Sequence, residues 1–202
     1  MLLLRSIFCK FGIIIAINVI MRKIGYIFLL TVLVSVNSMA QEINWVTLGE
    51  AVELQKKNPK KIMMDAYTSW CGPCKMLDRN TFSNSDVANY INQYYYAVKF
   101  NAEGNDEIIF NDKTYTNPNY DPAKANKRNA QHQLAGYFGV RSYPTIIFLS
   151  EEGELIFPLI GYKTPQQLEL YLKMFKNDEH LDLKTQEAFN EYYTAFKPEF
   201  QQ

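Results

Sequence analysis

The sequence has few of the side chains that bind metals. Its 202 residues include only three cysteines and two histidines. A structural zinc site needs about four such ligands. Beside Cys71 and Cys74, Cys9 lies in an N-terminal segment that we expect to be removed, and His132 and His180 lack the spacing of zinc ligands. We therefore expect no metal and no cofactor, and we interpret both histidines as surface residues without a catalytic role.

The sequence as a whole also has no excess of positive or negative charge. The 21 basic residues balance the 21 acidic residues, and four of the basic ones lie in residues 1–40, which contain no acidic residue. Residues 41–202 therefore carry 17 basic and 21 acidic residues, a net charge of −4. Proteins that bind nucleic acids rely on basic surfaces. We expect no nucleic-acid partner.

Residues 21–40 have the layout of a secretory signal peptide. The stretch begins with Met-Arg-Lys, continues with mostly apolar residues and ends in small residues before Gln41. No cysteine directly follows the apolar part, so a lipoprotein anchor is not expected. We predict that translation starts at Met21, that residues 1–40 are absent from the mature chain, and that residues 41–202 are exported to the periplasm. The alternative is a retained N-terminal anchor.

The segment Trp70-Cys71-Gly72-Pro73-Cys74 places two cysteines where they can close a small disulfide ring. The preceding residues 61–67 are mostly apolar and predict a buried strand, and the following residues predict a helix. A helix N-terminus lowers the pKa of a thiol placed there. We predict Cys71 as the exposed nucleophile and Cys74 as the resolving thiol. Half of a zinc site and a permanent structural disulfide are the alternatives.

This segment resembles the active site of the thioredoxin family. The resemblance covers about residues 45–176. Asp65, six residues before Cys71, stands where thioredoxins carry a buried acid, and Lys99 resembles the strand lysine near that acid. Residues 137–145 are similar to the family's segment that leads into its cis-proline, here Pro144.

The resemblance implies an α/β thioredoxin fold, in which helices flank a central mixed β-sheet. Relative to that pattern, residues 102–129 are an insertion before the cis-proline segment, and residues 177–202 are a helical C-terminal extension. Within the insertion, the sequence predicts a small hairpin around Asn111-Asp112. We also predict a hairpin across residues 145–160, a helix over 130–138 and a helix over 181–196.

Each site residue has an expected role. A carboxylate within an apolar strand is costly, so the pKa of Asp65 should be raised. Asp65 then suits the role of proton acceptor for Cys74, with Lys99 moderating the shift. The resemblance places the substrate against side chains and backbone on both sides of the dithiol, namely Trp70, Gly72, Pro73, Tyr143 and Pro144.

The expected function is that of an exported thiol–disulfide oxidoreductase that reduces protein disulfides through Cys71 and Cys74. Exported space is usually oxidising, so such a reductase needs a membrane thiol-transporting electron donor. We expect a monomer. A disulfide oxidase or isomerase is the alternative enzyme. The alternative that is not an enzyme is a binding module with the same fold, in which the disulfide is only structural.

Overall fold

The computed structural model describes Met21 and residues 42–201. The predicted signal peptide, its cleavage before Gln41 and the alternative anchor lie outside the described residues. Within this described part of the chain, no helix is both long enough and apolar enough to cross a membrane.

A five-stranded mixed sheet forms the centre of the fold, in the order β1-β3-β2-β6-β7. β1, β3 and β2 run parallel, whereas β6 runs antiparallel to β2 and β7 antiparallel to β6. The strands are β1 (Trp45–Val46), β2 (Lys61–Tyr67), β3 (Tyr95–Asn101), β4 (Ile108–Phe110), β5 (Lys113–Tyr115), β6 (Thr145–Leu149) and β7 (Leu155–Ile160). This arrangement confirms the predicted α/β thioredoxin fold.

Helices cover both faces of the sheet and enclose two apolar clusters. One cluster includes Met63 and Leu77, and the other includes Met64 and Leu134. Successive residues of a strand point to opposite faces, so β2 supplies side chains to both clusters. The helices are α1 (Leu48–Lys57), α2 (Gly72–Leu77), α3 (Ser85–Tyr94), α4 (Gln133–Tyr137), α5 (Pro165–Lys176) and α6 (Gln186–Ala195).

Side-chain caps fix where the helices begin. Thr47 and Glu50 form a capping box at α1, and Thr164 and Gln167 form another at α5. Each box satisfies two N–H groups that a helix end would otherwise leave unpaired. α3 is capped by Asn84, whose side chain accepts the backbone N–H groups of Asp86 and Val87.

The insertion begins with the predicted hairpin, β4 and β5. Asn111 and Asp112 join the two strands with φ angles of 50° and 57°, the positive values that a tight hairpin turn requires. Phe110 and Tyr115 are buried in the apolar cluster on one face of the sheet. The hairpin is therefore part of the folded core.

Asn117 lies mid-way along the insertion, and its side chain bonds to the backbone near both ends of that segment. Its Nδ2 donates to the carbonyl oxygens of Gly104, at 2.9 Å, and Ala130, at 2.8 Å. The side chain is 4% exposed, so water does not compete strongly for these hydrogen bonds. The insertion is thereby divided into two loops that meet at Asn117.

His132 is buried, and its prediction as a surface residue was wrong. It is 1% exposed and caps α4, because its Nδ1 accepts the N–H of Leu134 at 3.1 Å. Its Nε2 lies 2.8 Å from the carbonyl oxygen of Asp106. This cap also explains why α4 begins at Gln133 and is shorter than the predicted helix over 130–138.

The C-terminal extension contains α6, within the predicted residues 181–196, and a tail bound to α5. The Glu169 carboxylate is fully buried and accepts the backbone N–H groups of Glu199 and Phe200 at 2.9–3.0 Å. Lys173 lies 2.7 Å from the same carboxylate. The buried Glu169 carboxylate therefore holds the tail through these N–H groups, and Lys173 balances its charge.

Candidate active site

Cys71 and Cys74 form a disulfide between the end of β2 and the start of α2, with an S–S distance of 2.11 Å. Cys71 is the N-cap of α2, and its Sγ accepts the backbone N–H of Cys74 at 3.1 Å. Donors at a helix N-terminus favour negative charge. The same N–H is thus placed to stabilise a thiolate on Cys71 when the disulfide is reduced.

Both cysteines are buried in this disulfide form. Cys71 is 3% exposed and Cys74 is 2% exposed, so the prediction of an exposed Cys71 was wrong for this state. The reason is local. The Cys71 side chain turns inward to cap α2 and to bond with Cys74, whereas the neighbouring Gly72 and Pro73 are exposed.

Asp65 and Lys99 face each other from adjacent strands. They are register partners in the parallel pair β2–β3, and Lys99 Nζ lies 2.6 Å from Asp65 Oδ2. Lys99 also forms an ion pair with Asp78, at the end of α2. Sequence reasoning missed Asp78. Three aromatic rings lie 4.8–5.3 Å from the Lys99 ammonium, those of Trp45, Tyr67 and Phe82.

The carboxyl group of Asp65 is fully buried. Burial raises its pKa from 3.8 to about 6, although the charge of Lys99 opposes the rise. Its Oδ1 has no hydrogen-bond partner within residues 42–201. Burial also opposes the charge of Lys99, but Asp65 and Asp78 hold the pKa of Lys99 above its ordinary value. A carboxyl group with a pKa near neutrality suits proton exchange with a thiol.

Trp70 and Tyr143 stand beside the disulfide as an aromatic pair. Their rings meet edge to face with centroids 6.0 Å apart. Glu103 fixes Trp70, because its Oε2 accepts the indole Nε1–H at 2.7 Å. Burial and the Glu103 carboxylate raise the pKa of Tyr143 to about 12, so its hydroxyl stays neutral. Sequence reasoning missed Glu103, which no local pattern marks.

Pro144 joins this pair to the sheet. The Tyr143–Pro144 peptide bond is cis, and Pro144 is buried at the start of β6. Its carbonyl oxygen accepts the N–H of Gly161 at 2.8 Å. Gly161 has a φ of 83°, a conformation that glycine adopts without strain.

A sequence profile of a known family covers most of this fold. The profile, described as a thioredoxin-like domain, matches residues 48–176, which is more than half of the chain. The chain belongs to the thioredoxin-like family. The matched residues include β2 with Asp65, the Cys71–Cys74 disulfide and the cis-proline segment.

Curated relatives and a solved structure agree with this assignment. The chain is 24% identical over 125 residues to the thiol-disulfide oxidoreductase ResA of Bacillus anthracis, covering 62% of this chain and 69% of ResA. It is 26% identical over 138 residues to the thiol:disulfide interchange protein DsbD of Pectobacterium atrosepticum, covering 66% of this chain but 20% of DsbD. A thioredoxin-fold protein from Helicobacter pylori has a similar fold, with a TM-score of 0.52 and 21% identity over 68% of this chain and 82% of that chain.

These findings define the general activity. The thioredoxin-like fold carries a CxxC disulfide at the head of α2, and the named relatives are thiol–disulfide enzymes. The chain is accordingly a disulfide oxidoreductase.

Proposed function

We propose that this thioredoxin-like protein is exported and reduces disulfides in other proteins. The observation that carries the proposal is the Cys71–Cys74 disulfide at the head of α2, with a backbone N–H directed at Cys71 Sγ. The intervening Gly72-Pro73 supports the reducing direction, because reducing thioredoxins carry the same pair.

The reaction proceeds in two exchanges. The Cys71 thiolate attacks one sulfur of a substrate disulfide, which forms a mixed disulfide and releases the other substrate sulfur as a thiolate that takes up a proton. Cys74 then loses its proton and attacks Cys71. This step releases the second substrate thiol and forms the Cys71–Cys74 disulfide. Two electrons pass from the dithiol to the substrate, and an external dithiol restores the reduced protein.

Asp65 is the proposed acceptor for the Cys74 proton. It lies in β2, the strand that leads into the active-site loop, and its Oδ1 has no partner within residues 42–201. Its pKa of about 6 leaves it mostly ionised at neutral pH and able to take up a proton. Lys99, held by Asp78 as well, balances the charge when Asp65 is ionised.

The proposed electron donor is a membrane thiol-transporting protein. Two observations support it: the signal-like residues 21–40, which indicate export, and the similarity to a thiol:disulfide interchange protein. The match spans a fifth of that relative, so it serves as a guide to the partner's class alone.

Mass spectrometry of the exported protein tests the proposed processing and should find Gln41 at the N-terminus. A soluble secreted chain that retains residues before Met21 would contradict the proposed processing.

The reduction potential of the purified protein tests the direction of the reaction. Equilibration with glutathione and dithiothreitol buffers should give a value near that of thioredoxin, about −270 mV. A value near about −120 mV would support the oxidase instead. A disulfide that excess dithiothreitol leaves intact would support the non-catalytic binding module. Cys71→Ser is the control, since it cannot form the internal disulfide.

A further inference from the structure

Residues 121–129, the second loop of the insertion, lie against the active-site loop. The hydroxyl of Ser69 donates to the carbonyl oxygen of Ala125 at 2.8 Å. The guanidinium carbon of Arg128 lies 5.0 Å from the ring centroid of Trp70. These contacts fasten the loop to the two residues that precede Cys71. We call residues 121–129 the basic arm.

Hydrogen bonds within the basic arm give it a defined shape. The backbone N–H of Asp121 donates to Asn129 Oδ1 at 2.9 Å, and Asn129 Nδ2 donates to the carbonyl oxygen of Asp121 at 2.8 Å. The backbone N–H of Asn129 also reaches Glu103 Oε2 at 2.7 Å, the oxygen that holds Trp70. A loop closed in this way holds its backbone in a defined path beside Trp70, the residue before Cys71.

The charge of the basic arm opposes that of the rest of the protein. It contains three cations and one acid, and the acid, Asp121, pairs with Lys124 at 3.3 Å. Lys127 and Arg128 are exposed and form no ion pair with any side chain of residues 42–201. The adjacent carboxylate of Glu103 is 8% exposed and already accepts two N–H groups. Two cations of the basic arm therefore remain available to a substrate, and one of them, Arg128, lies over Trp70.

We propose that the basic arm selects disulfide substrates with acidic residues beside the attacked cysteine, and that Arg128 makes the principal contact. The proposal rests on the reductase function above and names its substrate class. A guanidinium binds a carboxylate through two parallel hydrogen bonds, and Arg128 is held over the residue next to Cys71. Arg128 is a specificity residue, because it takes no part in the exchange of sulfurs.

Single-turnover reduction of three matched peptides tests this proposal. The peptides share one length and one disulfide and carry Glu, Gln or Lys on both sides of each cysteine. The pre-reduced protein should reduce the Glu peptide about tenfold faster than the Lys peptide at low salt, and this ratio should fall as salt is added. Use of pre-reduced protein makes the result independent of the natural electron donor.

Arg128→Gln should lower the Glu-to-Lys rate ratio to about two, while its rate on the Gln peptide stays within about twofold of the wild type. Lys113→Gln is the matched control. It removes the same charge from an exposed position on β5, in the first loop of the insertion, and should keep the wild-type ratio.

Two results would overturn the proposed selection. One is an unchanged ratio in Arg128→Gln. The other is an equal loss of the ratio in Lys113→Gln, which would assign the preference to overall charge. A wild-type protein that reduces none of the three peptides would overturn the reductase function and the selection together.

Discussion

Asp65→Asn should stabilise the protein by an amount that grows with pH. The pKa of Asp65 is about 6 in the folded protein, against an ordinary value of 3.8. A difference of about two units corresponds to roughly 3 kcal/mol, because one unit is about 1.4 kcal/mol. An acid with a raised folded pKa destabilises the fold as it ionises. The cost is absent below about pH 4, grows between about pH 4 and 6, and is complete above about pH 7.

The surroundings of Asp65 make asparagine a clean replacement. The amide has nearly the same shape, and Lys99 keeps its ion pair with Asp78 when the Asp65 charge is removed. Urea unfolding of the disulfide form at several pH values measures the difference between mutant and wild type. Asp112→Asn, at the exposed hairpin turn, is the control for loss of a carboxylate. A mutant-to-wild-type difference that stays constant from about pH 4 to 8 would refute the reasoning.

Kinetics of the same variant test the role of Asp65 as proton acceptor. Reduction of a protein disulfide should slow near neutral pH, chiefly in the attack of Cys74 on the mixed disulfide. The deficit should shrink once the pH is high enough for a thiol to ionise without help. Stopped-flow measurements from acidic to alkaline pH give the rate of disulfide reduction for the mutant and for the wild type. Equal rates for mutant and wild type throughout would remove Asp65 from the mechanism.

Three further predictions concern the disulfide, the insertion and the tail. Cys74→Ser should accumulate mixed disulfides with substrates on a non-reducing gel and Cys71→Ser should not; equal trapping would contradict their roles. Asn117→Ala leaves the carbonyl groups of Gly104, which is buried, and Ala130, which is partly buried, without this donor. It should cost about 2–4 kcal/mol, with faster amide exchange confined to residues 102–129. Glu169→Gln should cost about 1–3 kcal/mol in urea unfolding, and an unchanged midpoint would show that the tail adds no stability.

Elements set by near neighbours in the chain were predictable. The apolar run over 61–67 gives β2 with those bounds. Asn111-Asp112 forms the predicted hairpin turn. Each of these signals involves residues within a few positions of one another. Because such signals act between near neighbours, the sequence pattern is enough to indicate them.

Contacts between distant segments were not predictable. Glu103 lies 33 residues from Trp70, and the spacing of neither residue indicates their hydrogen bond. Asp78 looks like an ordinary helix residue, and only the position of Lys99 on β3 brings it into the site. His132 is buried between α4, which its side chain caps, and the segment that opens the insertion, where its Nε2 lies beside the carbonyl oxygen of Asp106. Such placements arise when the chain folds back on itself.

The division of the insertion at Asn117 lets its two loops diverge independently. The hairpin loop contributes Phe110 and Tyr115 to the core, so changes there alter stability. The basic arm lies beside Trp70, so changes there alter the surface next to the active-site loop. Because lengthening a surface loop adds little free-energy cost, descendants of this chain can exchange one arm for another and acquire new substrates while Cys71, Cys74 and Asp65 remain as they are.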